Sequence, residues 1–278
     1  HECSSAASDV YKRQPEALGG AIIVEPDQMK LSQPYYLNIN SGYQTNGRGT
    51  NYSIKTGKGF KNFGFNLGLS YIKIGDRHAP SYTLTNSGKD EKGLNLGFHY
   101  HLKNFDIKTY YSYVGIDQAL LKASMFHSGN AISRAISSEI PLIVEPFSYD
   151  INPPSQWVKH HFAKVSVDWW YKENDKISLI AGRQLNKRKE FDVRRNIEKP
   201  IIDLDLTSTD LMLEWDHSFS DNLDGLIGLH FFNQDNDNNP GTQTTPFIPN
   251  YNTNRYSFFL VENLKLGKNL FELGLRID

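Results

Sequence analysis

Between Val158 and Gln184 apolar and polar side chains alternate with a period of two, and that alternation restricts the stretch to a β-hairpin. Ala163, Val165, Val167, Trp169 and Tyr171 fall on one face, and Lys164, Ser166 and Asp168 on the other. Successive side chains of a strand point to opposite sides, so the first set makes an apolar surface and the second a polar one. Lys172-Glu173-Asn174-Asp175-Lys176 is a short polar turn, after which Ile177, Leu179 and Ala181 resume the apolar phase against Ser178 and Gly182. Such an apolar face either packs on a protein core or faces lipid while the polar face lines a lumen. One hairpin does not choose between these.

The same alternation recurs along the chain. It runs from Phe63 to Tyr71, Leu94 to Leu102, Phe105 to Tyr113, Leu211 to Trp215, Leu223 to Phe231 and Phe271 to Ile277. Tyr36 to Tyr43 and Thr50 to Thr56 flank Asn46-Gly47, a hairpin turn signal. Phe258 to Leu266 is strand-like with a blurred phase, and a helical period shows faintly around Gln118 to Phe126. The chain reads as all-β.

The connections separate the two architectures. Short polar turns sit at Lys61-Asn62, Lys103-Asn104, Lys172 to Lys176, Ser218 to Asn222 and Gly267 to Asn269. Long irregular stretches alternate with them, from Gly75 to Lys92, Asp117 to Trp157, Lys187 to Leu206 and Asn233 to Arg255. Structureless loops of that length are uncommon in a compact soluble domain. An outer-membrane barrel sorts its connections this way, with short periplasmic turns and long outer loops. Its strands need roughly 9–11 residues to cross a bilayer at a tilt. The pattern predicts an antiparallel transmembrane β-barrel, present in part, rather than a sandwich.

Composition agrees with that reading. Mean hydropathy is −0.52 and no run approaches the length of a transmembrane helix. A lipid-facing strand needs only every second residue to be apolar, so averaging hides it. Aromatic residues make up 13% of the chain, which suits barrel girdles and would also suit a glycan-binding sandwich. The net charge of −1 gives no basic excess for a nucleic acid partner, and Cys3 is the only cysteine, which leaves no disulfide framework.

Residues Ser4 to Gln14 resemble the in-frame translation of a transposase adapter used in sequencing libraries, so residues 1–14 are read as a scar and not as native sequence. On that reading the lack of a signal peptide carries no information about location. Arg276-Ile277-Asp278 stops in mid-strand by pattern, so the C-terminus is expected to be cut as well.

Several stretches resemble the TonB-dependent receptors of bacterial outer membranes. Ala17-Leu18-Gly19-Gly20-Ala21-Ile22-Ile23-Val24 is similar to the last strand of that family's plug domain; as a phosphate-cradling loop it lacks the following Lys-Ser/Thr. Gln184 to Asp192 resembles a barrel strand running into an extracellular loop. Asn239-Pro240-Gly241-Thr242 with Pro246 to Tyr251 resembles another such loop, and Glu272 to Asp278 a later strand. Together they resemble versions common in Bacteroidetes-type bacteria.

The resemblance implies a receptor that binds a large, scarce nutrient and imports it, with energy from the inner-membrane TonB complex pulling on the plug. Residues 15–30 would then end the plug, and 31–278 would form part of a barrel of about 22 strands. Most of the plug and the TonB box are expected to be missing, along with the last strands. The implied cargo is a ferric siderophore or another metal chelate, as cargo and not as cofactor; lipid, lipopolysaccharide and the TonB complex are the implied partners. A plug-less porin and a secreted glycan-binding sandwich are the alternatives.

Candidate ligand residues follow from position. His99 and His101 lie two apart on one polar face, as a metal-binding pair or as lumen-lining polar groups, whereas His160 and His161 must point oppositely. His78, His127 and His217 stand isolated in sequence. Lys187-Arg188-Lys189 and Arg194-Arg195 cluster in one external loop, where they would attract an anionic ligand or pair with Glu190, Asp192 and lipopolysaccharide. Tyr149, Trp157 and Tyr251 in long loops are candidates to stack on a ligand or to mark a barrel rim, and Trp169 to Tyr171 suit a girdle. No Gly-x-Ser-x-Gly elbow or HExxH occurs, so no enzyme is expected.

Overall fold

The computed structural model describes residues 29–125, 128–193 and 197–278. Eleven long strands form one antiparallel sheet: β1 (Tyr36–Gln44), β2 (Gly49–Gly59), β3 (Phe63–Ile74), β6 (Lys89–Leu102), β7 (Phe105–Ala119), β8 (Ser155–Trp170), β9 (Lys176–Phe191), β10 (Ile202–Ser220), β11 (Leu223–Asn238), β12 (Tyr251–Leu266) and β13 (Asn269–Ile277). A two-stranded hairpin, β4 (Arg77–His78) with β5 (Thr83–Leu84), stands apart in the third connection. Each long strand pairs with the next long strand in the chain, so the sheet is an up-and-down meander, the wall of a partial barrel.

The pairing registers keep the alternating phases aligned across the whole wall. Trp169 lies opposite Phe105 and Ile177, Val165 opposite Thr109 and Ala181, and Leu213 opposite Leu179 and Leu229. One side is therefore apolar over most of its area, with Arg183 beside Thr209 on it toward the long-loop end. Leu179, Leu213, Leu229 and Leu275 on that face are exposed, while among the described residues the buried apolar side chains besides Pro154 are Met29, Ala119, Phe259 and Val261. Two stacked layers would bury these leucines between them. The sandwich alternative lacks its core.

The apolar face is also sorted by depth. Near the short turns Phe105 stacks on Trp169 at 5.8 Å and Trp169 packs on Tyr171 at 5.8 Å, while Trp215 Nε1 donates to the Tyr171 hydroxyl at 2.7 Å. Leu, Ile, Val and Ala fill the middle. Toward the long loops Tyr111 donates to or accepts from His161 Nδ1 at 2.8 Å, His161 packs on Tyr113 at 4.8 Å, and Phe231 packs on Tyr256 at 5.1 Å. From Tyr171 to His161, ten steps at about 3.3 Å span about 33 Å, and a tilt of about 40° projects that to about 25 Å, the height of a barrel's lipid band. Beyond it the same face turns charged: Lys187 pairs with Asp205, and Lys189 with Asp203 at 3.0 Å.

Connections at one end of the wall are two to five residues long, while those at the other reach 35 residues between β7 and β8. Asn46-Gly47 makes a tight turn at the long-loop end, with Gly47 at φ 86° and Arg48 at φ 44°, the left-handed region that glycine reaches without strain.

Two expectations change. The strands extend well into the stretches read as loops, since β9 runs to Phe191, β10 starts at Ile202, β11 ends at Asn238 and β12 starts at Tyr251. The helical period around Gln118 to Phe126 is not a helix: β7 runs through Ala119, Lys122–Ser124 is a single 3-10 turn, and helix α1 spans Gly129–Ile136, capped by Ser128 accepting from the Ala131 N–H. Residues 1–14, the glycine pair at 19–20 and the strand resemblance at 17–24 lie outside the described residues.

Candidate functional site

The polar face carries the candidate residues. In β6, β7 and β8 it is set by the phase that places Leu94, Leu96, Tyr111, Tyr113, Ala163 and Val165 on the opposite side. At the short-turn end, His99 and His101 of β6 converge on Asp106 of β7. His99 Nε2 lies 2.7 Å from Asp106 Oδ1, and His101 Nδ1 lies 3.2 Å from the same oxygen. Lys108 Nζ reaches the other oxygen, Oδ2, at 2.9 Å. His99 Nδ1 donates to the Met29 carbonyl at 2.9 Å. The two imidazoles thus share the predicted face. His99 Nδ1, aimed at a carbonyl oxygen, presents a proton there rather than a lone pair to a metal. Among the described residues no group of three metal-ligating side chains is arranged to hold an ion.

Around Met29 the wall is thin. A Cβ on Gly64 would meet Met29 Cγ at 2.7 Å, and one on Gly59 would meet the Lys30 carbonyl at 2.2 Å. Gly59 N–H donates to the Gln33 carbonyl and Ser32 N–H to the Phe60 carbonyl, each at 2.9 Å. The segment leading into β1 therefore lies flat on the polar face, held where glycines let backbone approach backbone. Further along, Asn66 lies over Gly97 and Asn95 over Gly68, a reciprocal pair that keeps this part of the wall smooth.

Toward the long loops, Arg188 sits on β9 rather than in a loop. Its guanidinium pairs with Glu190 two residues along the same face and donates to the Gln156 amide oxygen, from Nε at 2.7 Å and from Nη2 at 2.6 Å. Lys187 and Lys189 point to the other face, so the basic run divides between the two sides of the wall. Tyr251 opens β12; its hydroxyl donates to Gln234 Oε1 at 2.8 Å, and Gln234 Nε2 donates to Ser208 Oγ at 3.0 Å. That chain crosses β12, β11 and β10 and presents amide and hydroxyl groups to the lumen. His160 meets the Asn186 amide at 3.2 Å on the same face, while His161 points away, as adjacent strand residues must.

Tyr149 does lie in a long loop. Its hydroxyl donates to the Arg48 carbonyl at 2.9 Å, and its ring meets the edge of Phe147 at 5.0 Å. Of the histidines isolated in sequence, His78 stacks on Phe147 at 6.3 Å, and His217 pairs with Glu262 at 3.1 Å between the rings of Trp215 and Phe219. Arg194, Arg195 and His127 lie outside the described residues. His99 with His101, and Arg188 with Glu190, are brought into contact groups; Tyr149 and Tyr251 belong to separate ones. Met29, Asp106 and Lys108 complete the first group, and only Asp106 and Lys108, in phase with the histidines across a tight turn, had a sequence signal.

No protein-family model matches the chain, and no curated protein matches it. Among solved structures it is similar to the ferric-catecholate import receptor Fiu from E. coli in its closed form, at 9% identity and a TM-score of 0.62 over 89% of this chain and 41% of that one. It is also similar to the siderophore receptor PiuA from Acinetobacter baumannii, at 11% identity and a TM-score of 0.55 over 88% of this chain and 42% of that one. The copper transporter OprC aligns at 12% identity and a TM-score of 0.52 over 82% of this chain and 36% of that one. The chain spans less than half the length of each. At these identities the likeness shows the fold alone, a stretch of antiparallel barrel wall.

Proposed function

We propose that the chain is part of a TonB-dependent outer-membrane receptor that imports a large, scarce nutrient, with a ferric siderophore or another metal chelate as cargo. The observation that carries this reading is the course of Met29 to Gln33, which reaches β1 along the polar face, against Gly59 and Gly64. A chain that enters the wall from the lumen side suits a barrel filled by a preceding plug, and residues 15–30 are read as the end of that plug. A plug-less porin has no need of such an entry. The depth-sorted apolar face supports placement in the outer membrane, in contact with lipid and lipopolysaccharide. The likeness to a ferric-catecholate import receptor, a siderophore receptor and a copper transporter supports the cargo class.

Arg188 and Tyr251 face the lumen near the long-loop end and are the proposed cargo contacts, with Arg194 and Arg195 in the adjoining connection. His99 and His101 stand at the opposite end and serve the entering segment. The test is growth of a deletion strain and its parent under iron, zinc or cobalamin limitation. The expected result is a defect confined to one metal nutrient that the restored gene corrects only when the TonB complex is active. Uptake that is independent of the TonB complex would favour a passive channel and overturn the receptor reading.

A further inference from the structure

A second site lies outside the lumen. Beyond Tyr113 and His161, where the outer face turns charged, Lys73 of β3, Asp90 of β6, Asp117 of β7, Trp157 of β8 and Lys189 of β9 floor a cleft of about 720 Å³, roofed by Tyr149 and its neighbours. Register places these five floor residues on the outer phase of their strands, since Lys73 pairs across to Asp90, Asp90 to Asp117, Asp117 to Trp157 and Trp157 to Lys189. The size falls in the range of small-ligand sites.

The roof is fixed. Asp76 donates its N–H to the Ser148 carbonyl at 2.9 Å and accepts the Ser148 N–H at 3.2 Å. The Asn86 amide donates to the carbonyls of Leu120, Asn152 and Pro154 at 2.7, 2.9 and 2.9 Å, and its oxygen accepts the Asn152 N–H at 3.1 Å. These bonds fold the loop back over the strand ends and hold Tyr149 in place. A ligand entering the cleft therefore meets a preformed wall, which lowers the ordering cost of binding.

The lining chemistry narrows the ligand. Lys189 is committed to Asp203 at 3.0 Å, and Asp90 accepts the Tyr71 hydroxyl at 3.1 Å. The Asp117 carboxylate and the Trp157 indole N–H form no hydrogen bond with a described residue. Lys159 lies over one face of the Trp157 ring at 4.7 Å and Lys73 over one face of the Tyr149 ring at 5.7 Å. An acceptor-only carboxylate, an indole donor and the remaining ring surface of Trp157 and Tyr149 match a ligand rich in hydroxyl donors with apolar C–H faces. Three carboxylates, Asp90, Asp117 and Asp150, balance the lining lysines Lys73, Lys89 and Lys189, so the cleft has no cationic excess to hold a phosphate or another polyanion.

We propose that this cleft binds a short neutral or amino-bearing saccharide, held by Asp117 and stacked on Trp157. The binding follows from the cleft alone; only its placement at the sugar layer of the cell surface rests on the outer-membrane reading. The source is then either a free oligosaccharide or the cell's own lipopolysaccharide core.

The test uses the full-length protein in detergent micelles. One arm titrates N,N′-diacetylchitobiose, mannotriose and lactose; the other titrates purified rough lipopolysaccharide from the same bacterium. Saturation-transfer NMR reads the sugar protons. Expected is saturable binding in one arm, weakened at least about tenfold by Trp157→Ala and by Asp117→Asn, a loss of about 1.4 kcal/mol each. Heat-modifiable gel mobility confirms that each variant keeps its barrel, and Trp157→Phe, which keeps a stacking ring, retains more binding than Trp157→Ala. No saturable binding in either arm, unchanged binding in folded variants, or displacement by inorganic phosphate would overturn the proposal. Loss of metal-nutrient transport with saccharide binding intact would overturn the transport reading and leave this one standing.

Discussion

His99 Nε2 lies 2.7 Å from Asp106 Oδ1, and the other nitrogen of the same ring donates to the Met29 carbonyl at 2.9 Å. The barrel wall thus grips the segment leading into β1 through one imidazole braced by a carboxylate. Removing either partner frees the entering segment. For His99→Ala the expected cost is about 1.5–3 kcal/mol, the worth of a hydrogen bond to a charged group. Hydrogen exchange at Lys30 to Gln33 should quicken in that variant while exchange in β10 and β11 stays unchanged. Equal protection in wild type and variant would contradict the grip.

Between β11 and β12 the polar face is filled by a buried aromatic ring. The Phe259 ring is fully buried and lies over Gly228, where a Cβ would meet Phe259 Cζ at 2.0 Å. Gly228→Val should block assembly of β11 against β12, because the ring cannot move aside cheaply. Phe259→Ala should cost about 3–5 kcal/mol as a buried aromatic truncation. Combining Gly228→Ala with Phe259→Leu should be less damaging than the sum of the two, since each relieves the other. Denaturant midpoints of the refolded barrel check all three.

The faces of β10 respond oppositely to charge. Leu213 points to the apolar side between Leu179 and Leu229, whereas Met212 points to the polar side. Leu213→Lys should destabilise by about 2–4 kcal/mol, as a lipid-facing cation near mid-bilayer does. Met212→Lys should change stability by less than about 1 kcal/mol, because that side chain meets the polar lumen. Urea unfolding in lipid vesicles measures both.

At the short-turn end, Asp175 ties the β8–β9 turn to β10. Its Oδ1 accepts the Ser218 N–H at 2.8 Å and its carboxylate pairs with Lys172 at 3.1 Å. The Ser218 bond, helped by Lys172, holds the carboxyl below the usual carboxylate range. A depressed folded-state value means the stabilisation is complete above the unfolded value, about 3.9, and fades as pH falls through the folded one. Wild type should therefore exceed Asp175→Asn in stability by a constant margin at neutral pH, and the margin should shrink below about pH 4. Melting followed by gel mobility at pH 7 and at acid pH reads the difference.

Alternation made the middle of each strand legible, because there every second residue is apolar on the outer face. Outside that band the rule lapses. On β9 and β10 the outer face carries Lys187 and Lys189 opposite Asp205 and Asp203, so strand continues with no alternation to see. The blurred phase of Phe258 to Leu266 has a cause as well: Phe259 and Val261 are buried on the polar face, so apolar residues occupy both sides. Helix α1 contains Gly129, Ile132 and Ile136, weak helix formers, and its Ser128 cap is a one-residue signal. His99 and His101 could be placed on one face from spacing alone. Their partner Met29 is 70 positions away from His99, and the cleft beneath Tyr149 depends on a loop folding back through Asp76 and Asn86. Neither contact leaves a pattern in sequence.

The central claim is that the apolar face meets hydrocarbon. It is tested by placing nitroxide labels singly at Leu211, Met212, Leu213 and Glu214 in the full-length protein reconstituted in lipid vesicles. Collision with oxygen, which concentrates in the bilayer, should dominate at Leu211 and Leu213, and collision with a water-soluble nickel chelate at Met212 and Glu214. The same accessibility at all four positions, or water access at the leucines, would contradict the account.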